Sequence, residues 1–197
     1  MKPSRLALLL LLAGLALSVQ AQTPATTEWK RYELGQGNFS VVLPSQPKEE
    51  LESAPSSVGI PIDLYTYAVG TEAASFVAQY GVLGEGAEKW SESAKEYFHN
   101  GVWSGASKSF DKQMEENKFE FRSKLVEKRN IKFNGYDGRE VTFTLGPFQG
   151  RIWTAIIGRQ TFTAMALGAE STLADQQKFL NSFTIKLKPL GTSTKQP

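Results

Sequence analysis

Two neighbouring stretches of the chain limit its fold more than any other feature. Residues 151–157 and 161–167 carry apolar side chains at both even and odd positions, with Ile152 and Ile156 on one parity and Trp153 on the other. Successive side chains of a strand point to opposite faces of a sheet, so strands of this kind are covered on both faces. We therefore expect an α+β fold in which an antiparallel β-sheet is flanked by helices on both faces.

Further segments have the alternation and composition of strands. Phe39, Val41 and Leu43 share one parity, and the longest segment, 119–133, is followed by the turn dipeptides Asn-Gly and Asp-Gly within residues 134–138. Such dipeptides join antiparallel strands. The remaining strands are therefore predicted at 39–43, 49–54, 62–69, 75–83, 119–133, 139–145 and 183–187.

An amphipathic helix is predicted over residues 87–102, and residues 106–114 continue its spacing after an expected break near Gly105. Its apolar face is core packing or, alternatively, the lining of a hydrophobic ligand groove, with Trp103 partly exposed beyond the regular face. The residues of that face are Trp90, Ala94, Tyr97, Phe98 and Gly101.

A second helix is expected near the C-terminus. Thr172 is its predicted N-cap, with Asp175 three residues later in a capping-box-like pair. Its predicted buried residues are Leu173, Phe179, Leu180 and Phe183.

The N-terminus has the pattern of an export signal. Lys2 and Arg5 precede an uncharged apolar run from Leu6 to Leu17, which is too short to cross the ~30 Å hydrocarbon layer of a bilayer. We expect residues 1–21 to be a signal peptide that is removed on export to the periplasm or the medium. The rest is predicted to be a flexible leader at 22–27, a single domain at 28–188 and a disordered tail at 189–197.

Removal of the signal peptide would leave a neutral protein. It takes Lys2 and Arg5 from 22 basic residues and leaves 20, against 20 acidic residues. Nucleic-acid binding has no electrostatic basis in such a chain. The absence of cysteine excludes disulfides, thiol catalysis, cysteine-ligated metals and a lipoprotein anchor. No later apolar run reaches eighteen residues, so no transmembrane segment is predicted in the mature chain.

The sequence contains none of the common catalytic motifs with a nucleophile elbow, a phosphate loop or a zinc-binding histidine pair. His99 is the single histidine, and we expect it to be structural or exposed near a helix C-terminus, where a cation is favoured. Aspartate and glutamate side chains alone could still form a catalytic site, but no sequence motif brings two of them together. We therefore predict no catalytic residue, no metal and no cofactor.

A row of basic residues shares one parity along the long predicted strand and would form a strip about 30 Å long. One interpretation is protection of a sheet edge, because lysines on an edge discourage pairing with another chain. Neutralisation by the acidic residues within 115–120 is a related explanation. The alternative is an anionic partner, such as a lipid headgroup, a polyanion or an acidic protein. The strip consists of Arg122, Lys124, Lys128 and Lys132.

A second candidate site involves two arginines at predicted strand starts, Arg139 and Arg151. If they lie together at one end of the sheet, they form a small anion-binding pocket under the turn at Tyr136 and Asp137. The alternative is that the arginines pair with Glu140 or stack on Trp153. The candidate binding residues are Tyr136, Asp137, Arg139, Arg151 and Trp153.

Several short motifs resemble PsbP-like proteins in the same order. They are GNFSVVLPSQP at 37–47, FNGYDGRE at 133–140, the segments 151–153 and 162–164, and FLNSF at 179–183, with Asp137 where a proline is common. The resemblance covers roughly residues 29–187. It implies an α/β/α sandwich that is shared by an extrinsic photosystem II subunit, a Ran-binding factor and exported bacterial proteins, and it implies no catalytic residues.

These observations favour a non-enzymatic binding or assembly-factor module that is exported to the bacterial cell envelope. Its predicted partner is a protein or an anionic envelope component, and nucleic acid is not expected. The alternative is an envelope enzyme such as a carboxylate-dependent hydrolase. That chemistry would require two carboxylates in one cleft whose surroundings separate their pKa values.

Overall fold

The computed structural model describes residues 28–55 and 61–189. The predicted signal peptide at 1–21 and the leader at 22–27 lie outside the described residues, as does the predicted tail from residue 190 onward.

A seven-stranded antiparallel sheet forms the centre of the fold, in the order β3-β4-β5-β9-β8-β7-β6. The two stretches that are apolar on both parities are β8 and β9, which lie inside the sheet as predicted. All nine residues of β9 are buried. The strands are β3 (Lys48–Pro55), β4 (Pro61–Gly70), β5 (Ala74–Leu83), β6 (Ser123–Phe133), β7 (Tyr136–Leu145), β8 (Phe148–Ile157) and β9 (Gln160–Gly168).

A smaller sheet has the order β1-β2-β10, with β1 at Lys30–Leu34, β2 at Phe39–Leu43 and β10 at Thr184–Ile185. Strand β1 was not predicted, because none of its residues is fully buried and its alternation is limited to Tyr32 and Leu34. The strand predicted at 183–187 has only two residues, since Phe183 is still the C-cap of the preceding helix.

Helix α1 spans Glu92–Glu116 without interruption, so the predicted break near Gly105 is wrong. The break falls earlier, at Trp90, after a 3-10 turn at Ala87–Lys89. Ser91 is the N-cap and accepts a hydrogen bond from the Ala94 backbone N–H. Buried side chains recur every four residues on both sides of Gly105. A glycine inside a helix costs about 1 kcal/mol relative to alanine, and the packing of these side chains outweighs that cost. These side chains are Phe98, Val102, Ala106, Phe110 and Met114.

Helix α2 spans Leu173–Ser182 and follows a 3-10 turn at Glu170–Thr172. Thr172 is the N-cap, as predicted, but its side chain makes no capping hydrogen bond, so the predicted capping box with Asp175 is wrong. The Thr172 hydroxyl donates to the Ala169 carbonyl at 2.7 Å and accepts from the Gln176 side-chain amide at 3.1 Å.

Two separate clusters of buried side chains form the core. Met165 and Leu167 of β9 belong to the cluster that includes α1, whereas Phe162 and Ala164 belong to the cluster that includes β2 and α2. Alternate residues of one strand therefore enter different clusters, as the double apolar parity predicts. Tyr97 of α1 joins neither cluster and is 60% exposed, contrary to its predicted place on the buried face.

Candidate docking surface at the edge strand β6

Strands β6 and β7 form a hairpin at the outer edge of the seven-stranded sheet. Its turn residues, Asn134 and Gly135, have φ values of 54° and 85°, as a two-residue hairpin turn requires. This turn pairs Phe133 with Tyr136 and sets the register of the strands. The second predicted turn dipeptide is instead part of β7, where Gly138 lies close to the Thr154 carbonyl of β8.

A β-bulge at Val126 divides β6 into two parts. The ladder pairs Lys124 with Thr144 but Lys128 with Val141, and the register shifts between Leu125 and Glu127. Since Thr144 and Val141 are three residues apart on β7, Lys124 and Lys128 point to opposite faces of the sheet.

The predicted single-face basic strip is therefore wrong. Arg122 precedes the strand, and only Lys128 and Lys132 share a face. Strand β6 begins at Ser123, so the predicted start at residue 119 is wrong. Because of the bulge, Leu125 faces the side of the sheet opposite to Ile131 and Phe133, and their predicted common face is wrong as well.

The cations of β6 differ in how they are bound. Lys132 forms an ion pair with Asp137 at 2.7 Å, which lowers the pKa of that carboxyl. Lys128 donates to the Asn100 side-chain oxygen of α1 at 2.6 Å. Among residues 28–55 and 61–189, the side chain of Lys124 has no hydrogen-bond or ion-pair partner, and that of Arg122 donates only to the neighbouring backbone carbonyl.

A buried carboxylate lies near the turn end of the hairpin. Glu140 is 1% exposed and accepts hydrogen bonds from the indole N–H of Trp153 at 2.7 Å and from Nε of Arg129. The bond to Glu140 raises the pKa of Arg129, whose side chain is 55% exposed. The buried charge thus has two donors, as a stable buried carboxylate requires.

The five residues of the predicted anion pocket do not form one pocket. Arg139 pairs with Glu96 of α1 at 2.9 Å, whereas Arg151 donates to Gln177 of α2 at 2.6 Å. Arg139 and Arg151 lie on opposite faces, because their ladder partners Thr154 and Thr142 give them opposite parity. Tyr136 and Asp137 are exposed, and Trp153 is bound to Glu140 rather than to an arginine.

The predicted pairing of Arg139 with Glu140 is likewise wrong, because Glu140 forms its ion pair with Arg129. Sequence reasoning missed the Arg129–Glu140 pair. The two-residue turn at Asn134 and Gly135 could have revealed it, because counting back from that turn places these residues opposite each other.

His99 lies in the first half of α1, not near its C-terminus as predicted. The ring is buried, and its Nδ1 lies 2.6 Å from the Thr154 hydroxyl. Burial, assisted by the nearby Arg139, lowers the pKa of His99 to about 4. The imidazole is therefore neutral at pH 7 and connects α1 to β8.

Exposed apolar side chains concentrate just before and within the first part of β6. Of the eight large hydrophobic residues that are exposed in the described part of the chain, four fall within residues 119–126. The rings of Phe119 and Phe121 are parallel, with centroids 5.9 Å apart. These four exposed residues define the β6 surface: Phe119, Phe121, Leu125 and Val126.

The described part of the chain forms neither a metal-binding cluster nor a membrane-spanning helix. Within residues 28–55 and 61–189, no three histidine, aspartate or glutamate side chains converge so that they could hold a metal ion. No helix in that part of the chain is sufficiently long and apolar to cross a membrane.

Comparison with known proteins identifies the fold. No family model and no curated protein sequence matches the chain. The solution structure of cyanobacterial PsbP (CyanoP) from Synechocystis sp. PCC 6803 is similar with a TM-score of 0.53 at 8% identity, covering 84% of this chain and 97% of that one. The protein therefore has a PsbP-like fold, as the sequence motifs suggested.

A protein of unknown function from Pseudomonas aeruginosa is more distantly similar. It has a TM-score of 0.33 at 12% identity and covers 76% of this chain and 88% of that one. A score of this size carries no argument about fold or function.

Proposed function

We propose that this protein is an exported, non-enzymatic binding or assembly-factor module of the bacterial cell envelope, and that it docks through the β6 surface. The observation that carries the proposal is the concentration of four exposed large hydrophobic residues within residues 119–126. Scattered exposed apolar residues are normal on a protein surface, whereas a local concentration is typical of an interaction site.

The edge position of β6 does not by itself explain this surface. Edge strands are protected from pairing with other chains by lysines and bulges, and β6 has both. Exposed apolar side chains, however, work against that protection. A docking surface that uses side chains, rather than a new backbone ladder, accounts for both features.

The arrangement of the ionisable groups supports binding rather than catalysis. Glu140 is bonded to Trp153 and Arg129, and His99 is neutral and bonded to Thr154. Each of these buried groups has a structural partner. The alternative, a carboxylate-dependent hydrolase, would need two carboxylates in one cleft. Among residues 28–55 and 61–189, the carboxyl groups with shifted pKa values are Glu52 on β3 and Asp137 on β7, which are not neighbouring strands of the sheet.

We further infer the α/β/α sandwich arrangement, with a helix on each face of the large sheet. The two core clusters support it, because α1 belongs to one and α2 to the other. The single domain at 28–188 and export by residues 1–21 belong to the same proposal, and the basic, apolar N-terminus supports export.

Affinity capture from envelope extracts tests the proposed function. The immobilised protein is compared with the variant Leu125→Ser/Val126→Ser and with the control Leu51→Ser/Tyr97→Ser, which removes exposed apolar groups elsewhere. We expect the wild type and the control to retain the same envelope component and the β6 variant to lose it. Equal capture by all three proteins would contradict docking at this surface.

A further inference from the structure

We propose that Asn134, at the tip of the β6–β7 hairpin, is a site of spontaneous deamidation, and that the reaction releases the tip from the end of α2 and from β10. This covalent modification site lies outside the β6 surface and does not depend on the proposed function. The reaction requires no enzyme and no cofactor, because water is the only co-reactant.

The chemistry follows from the glycine that succeeds the asparagine. The backbone nitrogen of Gly135 attacks the side-chain carbonyl carbon of Asn134 and forms a new C–N bond, which closes a succinimide ring. The side-chain nitrogen takes the proton of the attacking nitrogen and leaves as ammonia. Water then adds to either ring carbonyl and opens the ring, which gives an aspartate or an isoaspartate. Glycine favours the attack because no Cβ atom shields its nitrogen.

The fold shields one of the two Asn-Gly pairs in the chain, which lie at 100–101 and 134–135. Asn100 lies inside α1, between the buried side chains of His99 and Val102. The backbone nitrogen that would attack it belongs to the hydrogen-bond ladder of the helix. Reaction at residue 100 therefore requires this part of α1 to unfold and to expose core side chains, which is a rare event.

The second pair lies in a surface turn, where Asn134 and Gly135 are both exposed. Two contacts hold the Asn134 side chain. Its amide nitrogen donates to the Phe183 carbonyl, and its oxygen accepts from the Ile185 backbone N–H at 3.3 Å. Attack by the glycine nitrogen requires these contacts to open, and a surface turn opens at a much lower free-energy cost than a buried helix. The fold therefore directs deamidation to residue 134.

Loss of the amide removes a hydrogen bond that the tip donates. An ionised carboxylate only accepts hydrogen bonds, so at position 134 it can still accept from the Ile185 N–H but cannot donate to the Phe183 carbonyl. The two oxygens then repel each other. An isoaspartate would also add one carbon atom to the backbone of the turn that pairs Phe133 with Tyr136. Either product therefore opens the contact between the hairpin tip and the end of α2.

The same contacts connect the tip to the small sheet. The ring of Phe183 stacks on that of Phe39 of β2, with centroids 4.6 Å apart, and Ile185 of β10 lies opposite Phe39 in the ladder. Strand β10 has only two residues, so the loss of one anchor is expected to increase the opening of the whole strand. Deamidation at the tip is therefore measurable at β10.

Incubation of the purified protein at mildly alkaline pH tests the site. Mass spectrometry follows the peptides that contain the two Asn-Gly pairs. In the folded protein we expect the pair at 134–135 to be deamidated about tenfold or more faster than the pair at 100–101, because the helix opens far less often than the turn. In concentrated urea the two pairs should react at similar rates, since neither is then protected.

Hydrogen exchange tests the release. Asn134→Asp reproduces the aspartate product. The control Asn181→Asp adds the same charge to an exposed side chain whose oxygen accepts from Gln177 at 2.7 Å and can continue to accept. We expect the backbone N–H groups of residues 184–186 to exchange about tenfold faster in Asn134→Asp than in the wild type, because one hydrogen bond is lost and a repulsion is added. The control should exchange like the wild type.

The aged wild-type protein supplies a second sample for the exchange measurement. Its deamidated fraction, separated from the unreacted protein by ion exchange, should show the same faster exchange at residues 184–186. Equal rates at the two Asn-Gly pairs in the folded protein would overturn the assignment of the site, as would reaction at neither pair while both react in urea. Unchanged exchange in both Asn134→Asp and the deamidated fraction would overturn the release of the tip.

Discussion

The two halves of β6 differ in how their side chains are held. In the half near the turn, Arg129 binds the buried Glu140 and Lys132 binds Asp137. In the half before and around the bulge, the side chain of Lys124 has no partner among the described residues and Leu125 and Val126 are exposed.

The difference shows that a run of charged residues along one strand need not act as one surface. The turn half has Arg129 and Lys132 in ion pairs. Its tip is tied to the end of α2 through Asn134, which donates to the Phe183 carbonyl, and to β10 by the Ile185 backbone N–H, which donates to the Asn134 side-chain oxygen at 3.3 Å. The open half comprises residues 119–126, and its charged and apolar side chains are exposed to solvent. Structural stability is therefore expected to depend on the turn half, and docking on the open half.

The largest stability effect is expected from the buried carboxylate. Glu140→Ala leaves the Trp153 indole N–H without its acceptor and removes the partner of Arg129, and we expect a loss of about 3 kcal/mol of unfolding free energy. Glu120→Ala, an exposed acid before the bulge, is the matched control and should change stability by less than about 0.5 kcal/mol. Urea denaturation measures both, and equal losses would remove the distinction between the halves.

Acidification should weaken the contact between α1 and the sheet. Because burial lowers the pKa of His99 to about 4 from 6.5, the unfolded chain takes up a proton first as the pH falls. The stabilisation is complete above pH 6.5 and is lost on the way down towards pH 4. We expect a loss of about 2 kcal/mol between pH 7 and pH 5 from this group.

The variant His99→Gln isolates that effect from the titration of the carboxylates. It retains a polar side chain within reach of Thr154 but cannot titrate. Its unfolding free energy should fall by about 2 kcal/mol less than that of the wild type over the same pH range. Parallel pH profiles for the two proteins would show that His99 is not held neutral by the fold.

The turn itself should contribute a smaller amount. Gly135 has a φ of 85°, which a side chain disfavours, so Gly135→Ala should cost about 1–2 kcal/mol. Val126→Ala, in the open half, should cost less than about 0.5 kcal/mol because that side chain is 62% exposed. Thermal denaturation would contradict the comparison if the valine variant were the less stable of the two.

A small stability effect is also expected from the lysines. Lys124→Gln/Lys128→Gln/Lys132→Gln should change stability by less than about 1 kcal/mol, yet it should scatter more light on storage if the lysines protect the edge. The control Lys30→Gln/Lys95→Gln/Lys186→Gln removes the same charge away from β6. Equal scattering by both proteins would show that the edge needs no such protection.

Much of the fold could be predicted because it depends on local patterns. The double apolar parity of β8 and β9 identified central strands, and Asn134-Gly135 identified the hairpin. The bulge at Val126 has no such pattern, since neither a glycine nor a break in composition marks it. One unpaired residue was sufficient to reverse the face of Lys124 and to divide the predicted basic strip.

The candidate site was less predictable, because it depends on which elements lie across from each other. The sequence does not show that Glu96 of α1 reaches Arg139 or that Gln177 of α2 reaches Arg151. These tertiary contacts separate two arginines that were expected to lie together. The exposure of Phe119 and Phe121 also depends on the end of α1 and on the turn at Gly146, which sequence patterning does not position.

A single-site fluorescence measurement tests the central claim most directly. The chain has no cysteine, so Val126→Cys and Leu51→Cys each accept one environment-sensitive dye, at similarly exposed positions on the two opposite edges of the large sheet. On addition of envelope membranes, we predict a blue shift for the dye at position 126 and no change at position 51. A shift at position 51 alone, or equal shifts at both positions, would contradict docking through the β6 surface.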